Sequence, residues 1–524
     1  MLRVEDLLRP EAYPHRPPKV ELRQTHISWV FLAGELVYKV KKPVDFGFLD
    51  FTTLEKRRHF CEREVALNRR LCPEIYLGVV PVVETEKGLA FEAEGPVVDW
   101  AVKMRRMPEE GMMGRLIAEG RLRPEHIDLL VRKLVPFFRE AETGPEVNRY
   151  GALETVRFNV EENFAQTRDF VGRALSRRRY AYIVSWSRRF LEEAADLFER
   201  RIREGFIRDG HGDLYSANVC YDDLREVYVF DCIEFNERFR CGDVAQDLAF
   251  MAMDLDFHGL PGLSRRFIEG YVELSGDREL YEILDFYKCY RAYVRGKIGC
   301  FTWADAGVPE GEREKALAAA RRYFDLAYLY AGGRPLLLVI FGLSGTGKSA
   351  LSRALSQRLL AAYYNSDVVR KELAGLSPRE HRFEPFESGL YAPEMTERTY
   401  EELLRRAERE LSAGRDVILD ATYRSRRHRE AVLALARRLG VPVLFVLCET
   451  PEEVVRERLA QRARQQGEPS DGRWEIYLAQ KARFEPPEEI PSENLLRLST
   501  LKPPEILAEE VEKYLEGSLE KDRK

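Results

Sequence analysis

The run Leu336-Leu-Leu-Val-Ile-Phe-Gly342-Leu-Ser344-Gly345-Thr346-Gly347-Lys348-Ser349 constrains this chain more than any other stretch. An apolar segment of strand length meets G-x-x-x-x-G-K-S, and Leu351, Leu355 and Leu359 then recur at every fourth position, so the order is strand, phosphate loop, helix. Backbone N–H groups from Gly342 through Ser344, Gly345, Thr346 and Gly347 turn around a phosphate, Lys348 reaches the β and γ phosphates, and the Ser349 hydroxyl holds Mg2+. The helix that starts there adds the positive end of its dipole. ATP and Mg2+ are the expected ligands.

Ala331-Gly332-Gly333-Arg334-Pro335 breaks the preceding helical pattern, which predicts domains over 1–332 and 333–524. Beyond the phosphate loop, Ala361 to Asp367 reads as a strand ending in D-x-x-R, with Arg370 as its last member. Asp416 to Asp420 is a second strand with an acidic end, followed by Val441–Leu447 and Asn494–Leu498. Strands alternating with helices predict an α/β domain with a parallel sheet and ligands at the strand carboxyl ends. Asp367 is the expected proton acceptor for a substrate hydroxyl, Arg370 the holder of a phosphate or carboxylate on the acceptor, and Asp420 a metal residue. Thr450-Pro451 starts a helix carrying Arg458 and Arg462 on one stripe, set to close over the transferring phosphate, with Gln465–Gly472 as the flexible part. This half resembles the small P-loop kinases that include phage-type polynucleotide 5′-hydroxyl kinases, zeta-toxin sugar-nucleotide kinases and gluconate kinases. D-x-x-R is most similar to the polynucleotide kinases, and the resemblance implies the roles given to Asp367 and Arg370.

The first hundred residues read as short strands: Trp29 to Val40 is a hairpin around Gly34, a helical stretch carries Glu62 and Glu64, and a later strand ends at Trp100-Ala-Val-Lys-Met104. Further on come His211-Gly-Asp213-Leu-Tyr-Ser-Ala-Asn218 and a strand ending in Asp231-Cys-Ile-Glu234. Transfer of a phosphoryl group to a hydroxyl needs a carboxylate base and oxygen ligands for Mg2+, and these residues supply both. H-G-D-x-x-x-x-N resembles the catalytic loop of the aminoglycoside phosphotransferase and choline kinase group. That resemblance implies an α+β bilobal kinase-like domain with Asp213 as base, Asn218 and Asp231 as metal ligands, and Lys39 with Glu64 as the ion pair that places the phosphates. Met104 joins them on the nucleotide side. Lys41 competes with Lys39, and Glu62 with Glu64. Gly242-Asp243 and the helical residues after it look like the group's helix that buttresses the catalytic loop. A Gly-rich loop is missing, and Gln24–Ser28 occupies its place.

Net charge is only −5, so no global basic field advertises nucleic acid, although arginines of Arg177–Arg179 and Arg188-Arg189 lie among Tyr180, Tyr182 and Trp186 in a pattern that nucleic-acid binders also use. Eight scattered cysteines argue against zinc and against a disulfide framework. No signal-peptide core and no apolar stretch of membrane-spanning length is present, which predicts a soluble cytoplasmic protein.

The order of the halves resembles a bacterial fusion family that joins an aminoglycoside-phosphotransferase-like domain to a P-loop kinase-type ATPase. The expected activity is a bifunctional ATP-dependent phosphotransferase acting on hydroxyl acceptors at two sites. Two alternatives stand beside it: a nucleic-acid 5′-hydroxyl kinase, and a nucleotide-regulated binding module with one non-catalytic domain.

Overall fold

A computed structural model describes residues 2–377, 387–462 and 473–521. The chain divides into two compact units, Met1–Asn163 with Ser187–Val294, and Phe164–Trp186 with Arg295–Lys524.

In the first unit the strands β1 (Val20–Gln24), β2 (Ser28–Ala33), β3 (Leu36–Lys41), β4 (Tyr76–Thr85), β5 (Gly88–Phe91) and β6 (Val97–Arg105) form an antiparallel sheet in the order β1-β2-β3-β6-β4-β5. Alternation along β3 decides the chemistry of its two faces. Tyr38 and Val40 pack with Tyr13, Phe31 and Phe91 on one side. Val37 joins Cys61 and Val65 of the helix Leu54–Asn68 on the other, and two-residue periodicity puts Lys39 and Lys41 on that same side. Thr53 caps the helix by accepting from the Lys56 N–H, which fixes where Glu64 falls along it.

Helices and two short antiparallel pairs complete the unit: β7 (Ile207–Asp209) pairs with β10 (Cys241–Asp243), and β8 (Val219–Asp222) with β9 (Glu226–Val229). Asp243 caps the buried helix Val244–Phe257.

The second unit contains a five-stranded sheet, β11 (Leu337–Phe341), β12 (Ala362–Asn365), β13 (Val417–Asp420), β14 (Val443–Glu449) and β15 (Leu495–Ser499), in the order β12-β13-β11-β14-β15 with every pair parallel. Every residue of β11 is fully buried, because both faces of the sheet are covered. Leu338 and Ile340 meet Leu351, Leu355, Leu507 and Val511 on one face; Leu337, Val339 and Phe341 meet Leu403, Ala407, Val432 and Leu435 on the other. Each of the Leu, Val, Ile and Phe side chains contributes about 1.5–3 kcal/mol of burial free energy. The strand expected to end at Asp367 ends two residues earlier. Asn365 accepts from the N–H groups of Asp367 and Val368 at 3.0 and 3.2 Å, so it caps the helix Ser366–Leu373 and puts Asp367 in that helix's first turn.

Residues 164–186 and 295–332 pack with the P-loop half, on the far side of the 332/333 boundary expected from the Gly-Gly-Arg-Pro break. The physical reason is Asp416, which is almost completely buried just before β13. It accepts from the Leu336 N–H at 2.8 Å, from Arg178 at 2.7 Å and from Arg179 at 2.9 Å, while Arg178 also donates to the Tyr328 hydroxyl. Two of the three arginines in the Arg177–Arg179 run are thus buried structural partners and offer no surface to nucleic acid. Removing one side of a buried ion cluster strands the other charge. Asp416→Ala is expected to cost on the order of 3–5 kcal/mol, read as lost unfolding free energy in denaturant titration. Burial alone pushes this carboxyl up, but Arg178 and Arg179 outweigh it and hold it well below the usual carboxylate range. A lowered folded-state value means the contribution is complete above about pH 4 and fades as pH falls below that.

All eight cysteines are buried and none is joined in a disulfide. Among the described residues no helix is long and apolar enough to cross a membrane.

Candidate active sites

The phosphate loop joins the end of β11 to the helix Lys348–Leu359. Gly342 sits at φ +137°, where an added Cβ would lie 2.7 Å from the Cys448 carbonyl oxygen, so no side chain fits there. Gly347 is left-handed at φ +86°, and its ideal Cβ would lie 3.3 Å from Arg458 Nη1. Lys348 curls over the loop, its ammonium donating to the Leu343 carbonyl at 2.7 Å, and the Thr346 hydroxyl donates to the same oxygen at 2.8 Å. The Ser344 N–H points out of the loop and donates to the side-chain oxygen of Gln480 at 2.9 Å.

Ser344, Gly345, Gly347, Lys348, Ser349, Asp367, Arg370 and Asp420 line one cavity. At its floor, Asn365 donates to Asp420 Oδ2 at 2.7 Å and to Ser349 Oγ at 3.4 Å, and the Tyr363 hydroxyl donates to the same Asp420 oxygen at 2.8 Å. The other oxygen, Asp420 Oδ1, is buried and accepts no hydrogen bond among the described residues. Burial plus the neighbouring Asp420 carboxylate push the Tyr363 phenol far up, so it stays a donor. A hydroxyl and a carboxylate with an unused buried oxygen form a hard oxygen donor set, which fits Mg2+. Asp367 is paired with Arg370 at 2.7 Å across one helical turn, and the Arg370 guanidinium lies 4.7 Å over the Tyr391 ring. Arg458 donates to the Thr500 carbonyl at 2.7 Å, beside Gly347. The side chain of Arg462 and the segment Gln465–Gly472 lie outside the described residues.

In the first unit both lysines of β3 converge on Glu64. Lys39 lies 2.9 Å from Glu64 Oε1 and 2.6 Å from Asp231 Oδ1, while Lys41 lies 2.7 Å from Glu64 Oε2 and also pairs with Glu234. Glu62 faces solvent with Arg58. Burial pulls Lys39 down, yet Asp231 and Glu64 outweigh it and hold the ammonium well above its usual value. Burial likewise pushes Glu64 up, and the two lysines reverse the sign and hold it low; Glu234, dominated by burial, is raised. Met104 packs in the apolar cluster of Val37, Val65 and Tyr76.

Asp213 is positioned by His211 and Asn218. The Asp213 N–H donates to His211 Nδ1 at 3.2 Å while His211 Nε2 meets the Phe230 carbonyl at 2.9 Å, which fixes a neutral ring with its proton on Nε2. Burial lowers this imidazole, consistent with that form. Asn218 donates to Asp213 Oδ2 at 3.0 Å and to its carbonyl at 2.9 Å. From the helix Val244–Phe257, Asp247 accepts from the N–H groups of His211 and Gly212, and Asp254 from that of Ser216. Asp231 is held at φ +62°, its N–H donating to the Tyr76 hydroxyl, and the next N–H, of Cys232, donates to Asn68. The oxygens of Asn218 and Asp231 are of the type Mg2+ takes. Where a Gly-rich loop is missing, Thr25 Oγ1 accepts from the N–H groups of Ile27 and Ser28 and shapes the β1–β2 turn.

Sequence reasoning missed Asn365, Tyr363, Gln480, Lys41 as a second partner of Glu64, and Glu234. Asn365 carried a readable signal, an Asn directly before a helical pattern.

A five-stranded parallel sheet with a phosphate loop between β11 and its helix defines the second unit as a P-loop domain, and the family model AAA_33, an AAA domain, matches residues 337–487. The chain belongs to the same family as protein Rv2004c of Mycobacterium tuberculosis, with which it shares 32% identity over 469 residues, 89% of this chain and 90% of that one. Among solved structures, a choline/ethanolamine kinase family protein of Mesorhizobium loti aligns over 63% of this chain and 99% of its own at 12% identity and a TM-score of 0.38. The APS kinase CysC of Mycobacterium tuberculosis, in complex with AMPPNP and APS, aligns over 35% of this chain and 98% of its own at 20% identity and a TM-score of 0.26.

Proposed function

We propose that the chain is a cytoplasmic ATP-dependent phosphotransferase with two separate sites, each moving a γ-phosphate to a hydroxyl. The observation that carries this reading is the convergence of Lys348, Ser349, Asp367 and Asp420 on one cavity, with a carboxylate oxygen of Asp420 buried and unused.

In the second unit the loop N–H groups and the helix dipole bind the phosphates, and Lys348 leaves the Leu343 carbonyl to follow the transferring group. Ser349 and Asp420 would hold Mg2+, which when bound would neutralise charge on the triphosphate. Asp367 accepts the proton of the acceptor hydroxyl as its oxygen attacks the γ-phosphorus, and the leaving oxygen remains on ADP. Arg370, already on Asp367, orients that carboxylate and faces any anionic group of the acceptor. Arg458, beside Gly347, stabilises charge on the phosphates, a role the sequence reading shares with Arg462.

In the first unit Asp213 plays the base, held by His211 and Asn218, while Lys39 with Glu64 places the α and β phosphates. Asn218 and Asp231 are the metal residues there. Lys39 and Asp231 are paired in this structure, so that with nucleotide and Mg2+ bound Lys39 would face phosphate and Asp231 would offer its carboxylate to the metal. Lys39→Met is expected to weaken ATP binding at this site by about tenfold or more, measured by calorimetry on a Lys348→Ala background.

Labelled γ-phosphate ATP offered with 5′-hydroxyl oligonucleotide, D-gluconate and kanamycin tests the proposal. Transfer that survives Asp367→Ala combined with Asp213→Ala contradicts it.

A further inference from the structure

Gln480 lines the cavity that also holds Lys348, Ser349, Asp367 and Asp420, and nothing said so far uses it beyond its contact with Ser344. It belongs to the helix Trp474–Ala482, which is docked on the phosphate loop. Tyr477 packs with Leu343 of the loop and with Val455 and Leu459 of the helix Glu452–Arg462, and Lys481 pairs with Glu452. Trp474 stacks on Tyr477 with ring planes 14° apart. Those contacts fix the helix, and Ile476 and Gln480, one turn apart, are its residues that line the cavity.

The orientation of the Gln480 amide is settled by its partner. A backbone N–H only donates, so the atom 2.9 Å from the Ser344 nitrogen is the carbonyl oxygen Oε1, and the NH2 group is on the other branch. Exchanging them would set donor against donor. Nε2 makes no hydrogen bond among the described residues and is not sealed from solvent, on a residue that lines the cavity. Its N–H groups are open to a ligand. The nitrogen and oxygen of one amide are about 2.2 Å apart, which keeps Nε2 within roughly 5 Å of the Ser344 nitrogen.

Resting on the phosphotransferase reading of this cavity, we propose that Gln480 binds the γ-phosphate of the nucleotide: the Ser344 N–H anchors Oε1, and Nε2 donates to an oxygen of the group to be transferred. Two observations select the γ-phosphate. The anchor is a residue of the phosphate loop, so the donor is tied to the element that holds the triphosphate. The cavity also contains Asp367, Ser349 and Asp420, and the group that must lie between base and metal residues is the one that moves. Ile476 places an apolar side chain on the same wall, and a hydrogen bond to a charged oxygen gains where less water competes. A nucleoside diphosphate has no oxygen at that point. Gln480 thereby favours the triphosphate and lets the product nucleotide go.

Calorimetry on the full chain with Mg2+ compares a non-hydrolysable ATP analogue with ADP, on a Lys39→Met background that weakens the first site. Gln480→Met, unbranched and of similar length, removes donor and anchor together. It is expected to weaken the ATP analogue at the second site about tenfold or more and to leave ADP within about twofold. Gln480→Glu keeps an oxygen for the Ser344 N–H and loses the donor, so the ATP analogue is expected to weaken at least as much. A glutamine that only shapes the loop gives another pattern: equal losses for both nucleotides in Gln480→Met, and background affinity in Gln480→Glu. Either result, or an unchanged ATP-analogue affinity in Gln480→Met, overturns the proposal. Thermal unfolding of both variants should match the background, because Tyr477 carries the docking of the helix. If the background binds neither nucleotide at this site, the phosphotransferase reading fails and takes the inference with it. If the expected pattern is found and no acceptor is phosphorylated, the γ-phosphate contact stands and the transfer reading alone fails.

Discussion

Lys348→Ala is expected to lower phosphoryl transfer at the second site by about 100- to 1000-fold, with transfer at the first site unchanged. The effect is large because the ammonium is a preorganised charge in a cavity where little water competes with it. In the present structure it rests on the loop's own Leu343 carbonyl, a contact that on the proposed reading is given up for phosphate oxygen. The loop's fold depends on Gly342 and Gly347 and on the Thr346 hydroxyl, none of which the substitution touches. Lost transfer should therefore come without lost stability. Rate measurements with labelled ATP, beside a thermal unfolding curve, separate the two.

Asp213→Asn is expected to lower transfer at the first site by about 100- to 10,000-fold, the range for a missing general base. Asparagine is nearly isosteric and keeps the side-chain oxygen that accepts from Asn218, so the loop between β7 and β8 should survive. Its main-chain geometry is secured elsewhere, by Asp247 on the N–H groups of His211 and Gly212 and by Asp254 on that of Ser216. Nucleotide binding should persist, since Lys39, Glu64 and Asp231 are untouched. A variant that binds nucleotide and does not transfer is the signature of a base.

The second unit was legible because its signals are local. An apolar run, eight loop positions and a helical repeat sit next to one another, and β11 is buried on both faces as such a run requires. What was hidden depends on distant partners. Nothing in Arg178-Arg179 says that Asp416, more than two hundred residues later, will bury them, so charge beside aromatics read as a charged helix face with a nucleic-acid surface left open beside it. Lys39 against Lys41 was undecidable by alternation because both lysines share one face and both meet Glu64, on its two separate oxygens. Only the later segment separates their partners, Asp231 for one and Glu234 for the other. The departure at Asn365 was local and readable: an Asn that satisfies two N–H groups starts the helix and moves Asp367 off the strand.

Calorimetric titration of the full chain with a non-hydrolysable ATP analogue and Mg2+ tests the central claim most directly. Two binding events per chain are predicted, one weakened about tenfold or more in Lys348→Ala, the other in Lys39→Met, and both in the double variant. A single event per chain, or binding that persists undiminished in the double variant, would contradict it.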